Sequence, residues 1–274
     1  MQPTLVRKSS GELEKFDTEK LRQSLINSGA SVEIADRVLT HILEEIRNNV
    51  PTSQIHSHAT FLLHKFQKPS AVRYSLKKAI MDLGPTGFPF EDYVAEILKS
   101  RGFNTHTRQI LTGHCVTHEV DVVAHNDKKL ILAEVKFHNE PGVRSDVKVA
   151  LYVKARFDDL RGIPFDYGLK RPFDEGWLIT NTKFTSTALD YGMCNQINMI
   201  SWNFPKHGNL RELIEDGNLH PVTCLRTLSL ASARELIAQG IVLCKQLKDN
   251  PYPLNTIGLN QTDISLILEE INSL

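Results

Sequence analysis

No apolar run in this 274-residue sequence approaches the ~20 residues that cross a bilayer. The opening residues, MQPTLVRKSSGELEKF, contain no apolar stretch of signal-peptide length. A membrane partner is therefore not expected, and a soluble chain in the cytoplasm is. Cysteine is scarce: Cys115, Cys194, Cys224 and Cys244 form no CxxC pair. That argues against a disulfide framework and a zinc ribbon and fits a reducing compartment. No GxxxxGK[ST] run exists, which removes a P-loop motor from consideration. Net charge is missing too, since 32 basic side chains balance 32 acidic ones. Without a whole-molecule basic field, any nucleic-acid contact must rely on a local patch. Repeats and low-complexity tracts are absent. What remains is 41% hydrophobic and 23% charged, enough for a packed core. The length suits one large domain or two modest ones.

The first segment reads as a hairpin and then helices. Thr4 to Lys8 is extended, Ser9-Ser10-Gly11 is turn-like, and Glu12 to Phe16 returns. Asp17 is a helix N-cap for a run through Leu21, Leu25 and Ile26. Val32, Ala35, Val38, Leu39, Ile42, Leu43 and Ile46 recur at helical spacing. Pro51-Thr52-Ser53 opens a third helix, and a fourth covers about 70–82. Gly84-Pro85-Thr86-Gly87 then marks a domain boundary.

Beyond it the period changes. A helix over 90–101 precedes strand-like runs at 107–111, 116–124 and 129–138, the last two joined by a turn at His125-Asn126-Asp127. A helix over 145–160, a strand over 176–180, a helix over 186–194 and a strand over 197–201 follow. This alternation predicts an α/β sheet covered by helices. After Pro205 the pattern predicts helices over 210–214, 231–247 and 262–271.

Two strand-like runs carry chemistry: Glu119-Val120-Asp121-Val122-Val123 and Ala133-Glu134-Val135-Lys136-Phe137. Side chains alternate across a strand, so Glu134 and Lys136 share a face. Charged groups within apolar strands are costly unless paired or bound to an ion. Crowded carboxylates repel, and a hard divalent cation relieves that repulsion through oxygen ligands. A metal there acidifies water and polarises a phosphoryl oxygen, while a lysine beside it orients the water. Asp121 and Glu134 are thus metal-ligand candidates for phosphodiester hydrolysis, with Lys136 beside them. The competing reading of Glu-x-Lys is a solvated strand face.

Phe90-Glu91, Arg101-Gly102-Phe103, Glu119-Val120-Asp121-Val122, Ala133-Glu134-Val135-Lys136 and Trp177-Leu178-Ile179-Thr180-Asn181 with Phe184-Thr185 resemble the Mrr-type restriction endonuclease domain of the PD-(D/E)xK superfamily. The resemblance covers about 88–204. It implies magnesium-dependent DNA cleavage, with manganese as a substitute. Glu91 then supports the site, Asp121 and Glu134 bind metal, and Lys136 serves the attacking water. Glu134 stands where many Mrr-type members have glutamine.

The first 82 residues resemble an ATP-cone, a domain that binds ATP or dATP as an allosteric signal. The likeness rests on Val6-Arg7-Lys8, Gly11, Glu14, Phe16-Asp17, Lys20-Leu21, Pro51-Thr52-Ser53-Gln54-Ile55-His56, Val72-Arg73-Tyr74 and Lys77-Lys78-Ala79. It implies nucleotide binding by Val6, Lys8, Glu14, Asp17, Lys20, Thr52 and Lys78. Ser9 replaces the family's usual arginine. Such domains pair, which implies a dimer or tetramer.

Other features point less far. His114-Cys115-x-x-His118 lacks a second ligand pair for zinc, and His118 should face away from Asp121. Lys148, Tyr152, Lys154 and Arg156 either touch DNA phosphates or form a solvated helix face. The tail reads as a small helical pack or a DNA-binding helical hairpin. The expected chain is α/β, α+β overall. It comprises an ATP-cone over 1–84, a mixed-sheet nuclease over 88–206 and a helical region over 207–274. Its expected function is a magnesium-dependent DNA endonuclease regulated by ATP or dATP. The alternative is a nucleotide-responsive DNA-binding regulator that does not cleave.

Overall fold

The structure, a computed structural model, describes residues 4–8, 11–140 and 142–274, without the side chains of Lys68 and Pro69. The expected turn at Ser9-Ser10 lies outside the described residues. The chain divides into two compact units, residues 1–78 with 273–274, and residues 79–272. The helical segment after residue 206 thus shares a unit with the sheet.

In the first unit, β1 (Leu5–Arg7) pairs antiparallel with β2 (Leu13–Lys15), as the hairpin reading predicts. Helices α1 (Thr18–Asn27) and α2 (Val32–Glu45) follow. Asp17 caps α1 by accepting the Lys20 N–H at 2.9 Å, and Ser31 caps α2. Leu21, Leu25, Ala35, Val38 and Ile42 bury the stripe their spacing promised. The short strand β3 (Val50–Pro51) was not foreseen. It pairs parallel with β1 at Val6↔Val50 and delivers the chain into α3 (Thr52–Phe66). Helix α4 (Lys68–Met81) follows. Gly29, at φ +85°, has the Arg73 guanidinium where a Cβ would stand, 2.6 Å away. Arg73 Nε there donates to the Ser28 carbonyl at 2.9 Å.

The second unit opens with α5 (Phe88–Ser100). Strands β4 (Asn104–Thr112), β5 (Thr117–His125) and β6 (Leu130–Lys136) form an antiparallel meander. Asn126 shapes the β5–β6 turn, its Oδ1 accepting the N–H groups of Lys128 and Lys129, each at 2.9 Å. A short β7 (Arg144–Ser145) leads into α6 (Val147–Leu160), and a small β8 (Phe165–Asp166)–β9 (Lys170–Arg171) hairpin follows. β10 (Glu175–Thr180), β11 (Lys183–Phe184), α7 (Ser186–Cys194) and β12 (Ile197–Ile200) complete the α/β part. The main sheet runs β12-β10-β6-β5-β4, parallel among β12, β10 and β6 and antiparallel beyond. Helix α5 packs on β4, β5 and β6, while α6 and α7 cover β10 and β12. Arg108, in the middle of edge strand β4, is left-handed at φ +54°.

Helices α8 (Leu210–Asp216), α9 (Leu230–Ala238), α10 (Cys244–Asp249), α11 (Tyr252–Thr256) and α12 (Gln261–Asn272) finish the chain. The single helix predicted over 231–247 is two. Gly240 at φ +80° ends the first, and Gln246 Oε1 takes the N–H groups of Val242 and Leu243 at 2.9 and 2.8 Å to start the second. Among the described residues no helix is long and apolar enough to cross a membrane.

Candidate active site

Strands β5 and β6 run paired from His125↔Leu130 to Val122↔Ala133 and part at the next pair of residues. Where a ladder bond would continue, Asp121 Oδ2 accepts the Val135 N–H at 2.7 Å. Val120 and Val123 both enter the core on the α6 face, so the strand's two-residue alternation breaks at Asp121. Opposite it on β4 stands the left-handed Arg108. The splay lets charged groups gather at the end of an otherwise apolar strand pair.

Asp121 and Glu134 lie within electrostatic reach of each other, and Glu91 joins them from the first turn of α5. Glu91 is 8% exposed and Glu134 is 7% exposed. Each has an arginine the sequence reading did not assign to it. Arg108 Nη1 meets Glu91 Oε2 at 3.2 Å, with Nη2 on Asp92 Oδ1 at 2.8 Å. Arg156, from α6, places Nη1 on Glu134 Oε2 at 2.5 Å. Burial pushes the Glu134 carboxyl up to about 7, the Asp121 charge adds to it, and Arg156 pulls back. Burial, then Asp121, likewise lifts Glu91 to about 7 against the pull of Arg108. Asp121 is raised by burial, with the Val135 N–H and Arg156 opposing. Lys136 ends β6, is exposed, and lies near enough to Asp121 to favour its charge.

The residues present fit a divalent cation in one respect that geometry makes concrete. Glu134 Oε1 is buried and has no hydrogen-bond partner. Five carboxylates (Glu91, Asp92, Asp121, Glu134 and Glu119) face three cationic side chains (Arg108, Arg156 and Lys136), so negative charge is in excess. Among the described residues no three His, Cys, Asp or Glu side chains converge as a metal cage. A two-carboxylate site completed by water and substrate oxygens is the habit of magnesium rather than zinc.

Around this set, Asn181 ties down the end of β6. Its Oδ1 accepts the His138 N–H at 2.8 Å, and its Nδ2 donates to the His138 carbonyl at 2.7 Å. His138 itself meets Ser145 Oγ at 2.9 Å. His118 is engaged elsewhere, its Nε2 meeting Asp159 Oδ2 at 2.8 Å. Asp159 also accepts the N–H groups of Cys115 and Val116. It is held well below the usual carboxylate range, by His118 first. Gly113 faces Asp159 Oδ2 at a distance that excludes a Cβ. The His114-Cys115-x-x-His118 segment is therefore a turn clamp on α6 rather than a zinc site.

In the first unit, Lys8 Nζ pairs with Glu14 Oε2 at 2.7 Å. Asp17 is occupied as a cap, Lys20 is exposed, and Thr52 begins α3 beside the Arg7↔Pro51 pair. Lys78 is exposed and its charge reaches His56, which stacks on Tyr74 at 4.5 Å. Val6 is 2% exposed, buried in the unit's core, so its side chain is structural.

A restriction endonuclease family model matches residues 85–203, and a model of the AF1548-like C-terminal region matches residues 220–274. An uncharacterized protein of Archaeoglobus fulgidus is 34% identical over 178 residues, spanning 65% of this chain and 97% of its own length. The crystal structure of AF1548, a protein of unknown function, aligns at 33% identity with a TM-score of 0.56, covering 69% of this chain and 97% of that one. The MspJI restriction endonuclease in complex with a 27-mer oligonucleotide aligns at 16% identity over 88% of this chain and 48% of that one. Its TM-score of 0.29 is too low to carry structural weight.

Proposed function

From the premise that the chain belongs to the AF1548-like family and carries a restriction endonuclease domain over residues 85–203, we propose that it is a magnesium-dependent DNA endonuclease. The observation that carries this reading is the parting of β5 and β6. It leaves Glu134 and Glu91 buried within electrostatic reach of a half-buried Asp121, with Lys136 at the rim.

Asp121 and Glu134 would hold the metal, and Glu91 would complete the negative surround. A bound magnesium supplies a Lewis acid for the phosphoryl oxygen and lowers the pKa of water. The Val135 N–H fixes one oxygen of Asp121, leaving the other for a ligand. Lys136, next to Asp121 and open to solvent, orients a water and offsets charge developing on phosphate. Glu91 and Glu134, both near 7, hold or release a proton close to neutral pH.

We further propose that the first unit binds ATP or dATP and regulates cleavage. The support is chemical. Lys8, Lys20 and Lys78 suit a triphosphate, and Thr52 at the α3 N-terminus offers N–H groups to an anion.

Plasmid DNA with magnesium tests the catalytic reading. Wild-type protein should nick or linearise it, and Lys136→Ala and Asp121→Asn should each lose on the order of 10²-fold or more in rate. Equal cleavage by all three would remove the assignment.

A further inference from the structure

Arg156 bridges α6 and the parted strands. Its Nη1 donates to Glu134 Oε2 at 2.5 Å and to the Glu119 carbonyl at 2.7 Å, and its Nη2 donates to the Tyr152 hydroxyl at 3.1 Å. The Arg156 and Glu134 side chains are 13% and 9% exposed. Tyr152 is 65% exposed, with its ring centroid 5.0 Å from the guanidinium carbon. The ion pair is thus buried while its third partner stands in solvent. The pair is also incomplete: Glu134 Oε1 and Arg156 Nε are buried with no hydrogen-bond partner. A buried ion pair with unsatisfied atoms on both members adds little to stability. It has instead the form of two ligand sites closed on each other, a carboxylate suited to a cation and a guanidinium suited to an anion.

We propose that Arg156 is a positioning residue that couples metal loading to DNA binding. Without DNA, its guanidinium neutralises Glu134 and opposes a divalent cation. With DNA, it turns along Tyr152 to a backbone phosphate and releases the carboxylate. The inference rests on the endonuclease reading above.

Two cations sharing one carboxylate repel, and more strongly in a half-dry site than in water. A guanidinium's planar fork meets a carboxylate or a phosphate equally well, so the exchange preserves its hydrogen bonds. Linkage requires reciprocity: if DNA favours metal, metal must favour DNA by the same factor. The other arginine of the cluster does not share this role, because Arg108 divides itself between Glu91 and Asp92 on α5.

Two measurements on the full-length chain test the proposal, neither of them activity. Mn2+ binding without DNA is followed by electron paramagnetic resonance in wild type, Arg156→Gln, Arg156→Lys and Asp121→Asn. Arg156→Gln should bind Mn2+ about tenfold more tightly than wild type. Arg156→Lys, which keeps the charge but lacks the guanidinium's planar fork, should fall between them. It also keeps the test valid if the glutamine variant fails to fold. Affinity for a short labelled duplex is then read by fluorescence anisotropy with and without Mn2+, in a Lys136→Ala background that spares the DNA. Mn2+ should tighten the duplex by a larger factor when Arg156 is present than in the Arg156→Gln form, where only direct metal–phosphate contact remains; an equal factor in both would overturn the coupling. Unchanged or weaker Mn2+ binding by both Arg156 variants would overturn the proposal. Undiminished Mn2+ binding by Asp121→Asn would instead overturn the metal site on which it rests, so the two failures are distinguishable.

Discussion

Glu134 concentrates the site's electrostatic problem in one side chain. Its carboxyl sits at about 7 against an ordinary value of 4.5. Between those values the folded protein keeps a proton that the unfolded chain has lost. Metal-free stability is therefore full below about pH 4.5 and falls as pH rises toward 7, by roughly 3 kcal/mol for one such group. Chemical denaturation in EDTA at pH 5 and pH 8 measures this. The midpoint should drop at the higher pH, and Glu134→Gln should remove only its share of the drop, because Glu91 is lifted to about 7 as well. A midpoint that rises with pH would contradict the burial argument. Asp159 works in the opposite direction, but its contribution is lost only as pH falls below the normal carboxylate range, outside this window. At this scale Glu134 and Lys136 were legible as neighbours because strand alternation is local, and Asp121 because it is a lone carboxylate in the apolar run of the adjoining strand. Arg156 and Arg108 were not: their carboxylate partners lie 22 and 17 residues away in sequence, and nothing local selects them. The only hint was Arg156 one helical turn from Tyr152.

Among the elements, α7 lies where its periodicity placed it, and α6, β5, β6 and β10 agree to within about two residues. Long amphipathic or alternating runs carry their own evidence. β3 carries none, since two residues become a strand only when β1 is beside them. The break near Gly240 was hidden because Ile241, Val242 and Leu243 continue the apolar pattern across it. Asn181 shows how one element fixes another. Standing just past β10, it brackets both backbone polar groups of His138 and extends the hold on β6 beyond its last paired residue. Asn181→Ala should cost about 2 kcal/mol for two lost hydrogen bonds. Amide exchange should accelerate at His138 while the centre of β6 stays protected. Uniform acceleration along β6 would mean that Asn181 supports the whole sheet, not its end.

At the scale of the molecule, the sequence pattern suggests three segments, 1–84, 88–206 and 207–274, where the chain divides into two units. The glycine-rich run at 84–87 looks like a linker, yet it falls inside the second unit, because α4 continues to Met81 and Gly87 already caps α5. On the regulatory reading, ATP or dATP bound by the first unit should change the plasmid cleavage rate of the second. Lys8→Ala combined with Lys20→Ala should abolish both the response and the binding seen by calorimetry, with basal cleavage retained. Binding without any rate change would separate nucleotide recognition from control. One feature of the sheet reaches further still. β4 is an edge strand of nine residues, long enough to template a neighbour's backbone, and Ile110 on it is 67% exposed. The left-handed turn of the chain at Arg108 falls in its middle and interrupts the row of outward-facing peptide groups. A strand added along this edge would meet that irregularity halfway along it. The residue that meets Glu91 is thus also the one that breaks the regularity of this edge against strand-by-strand addition.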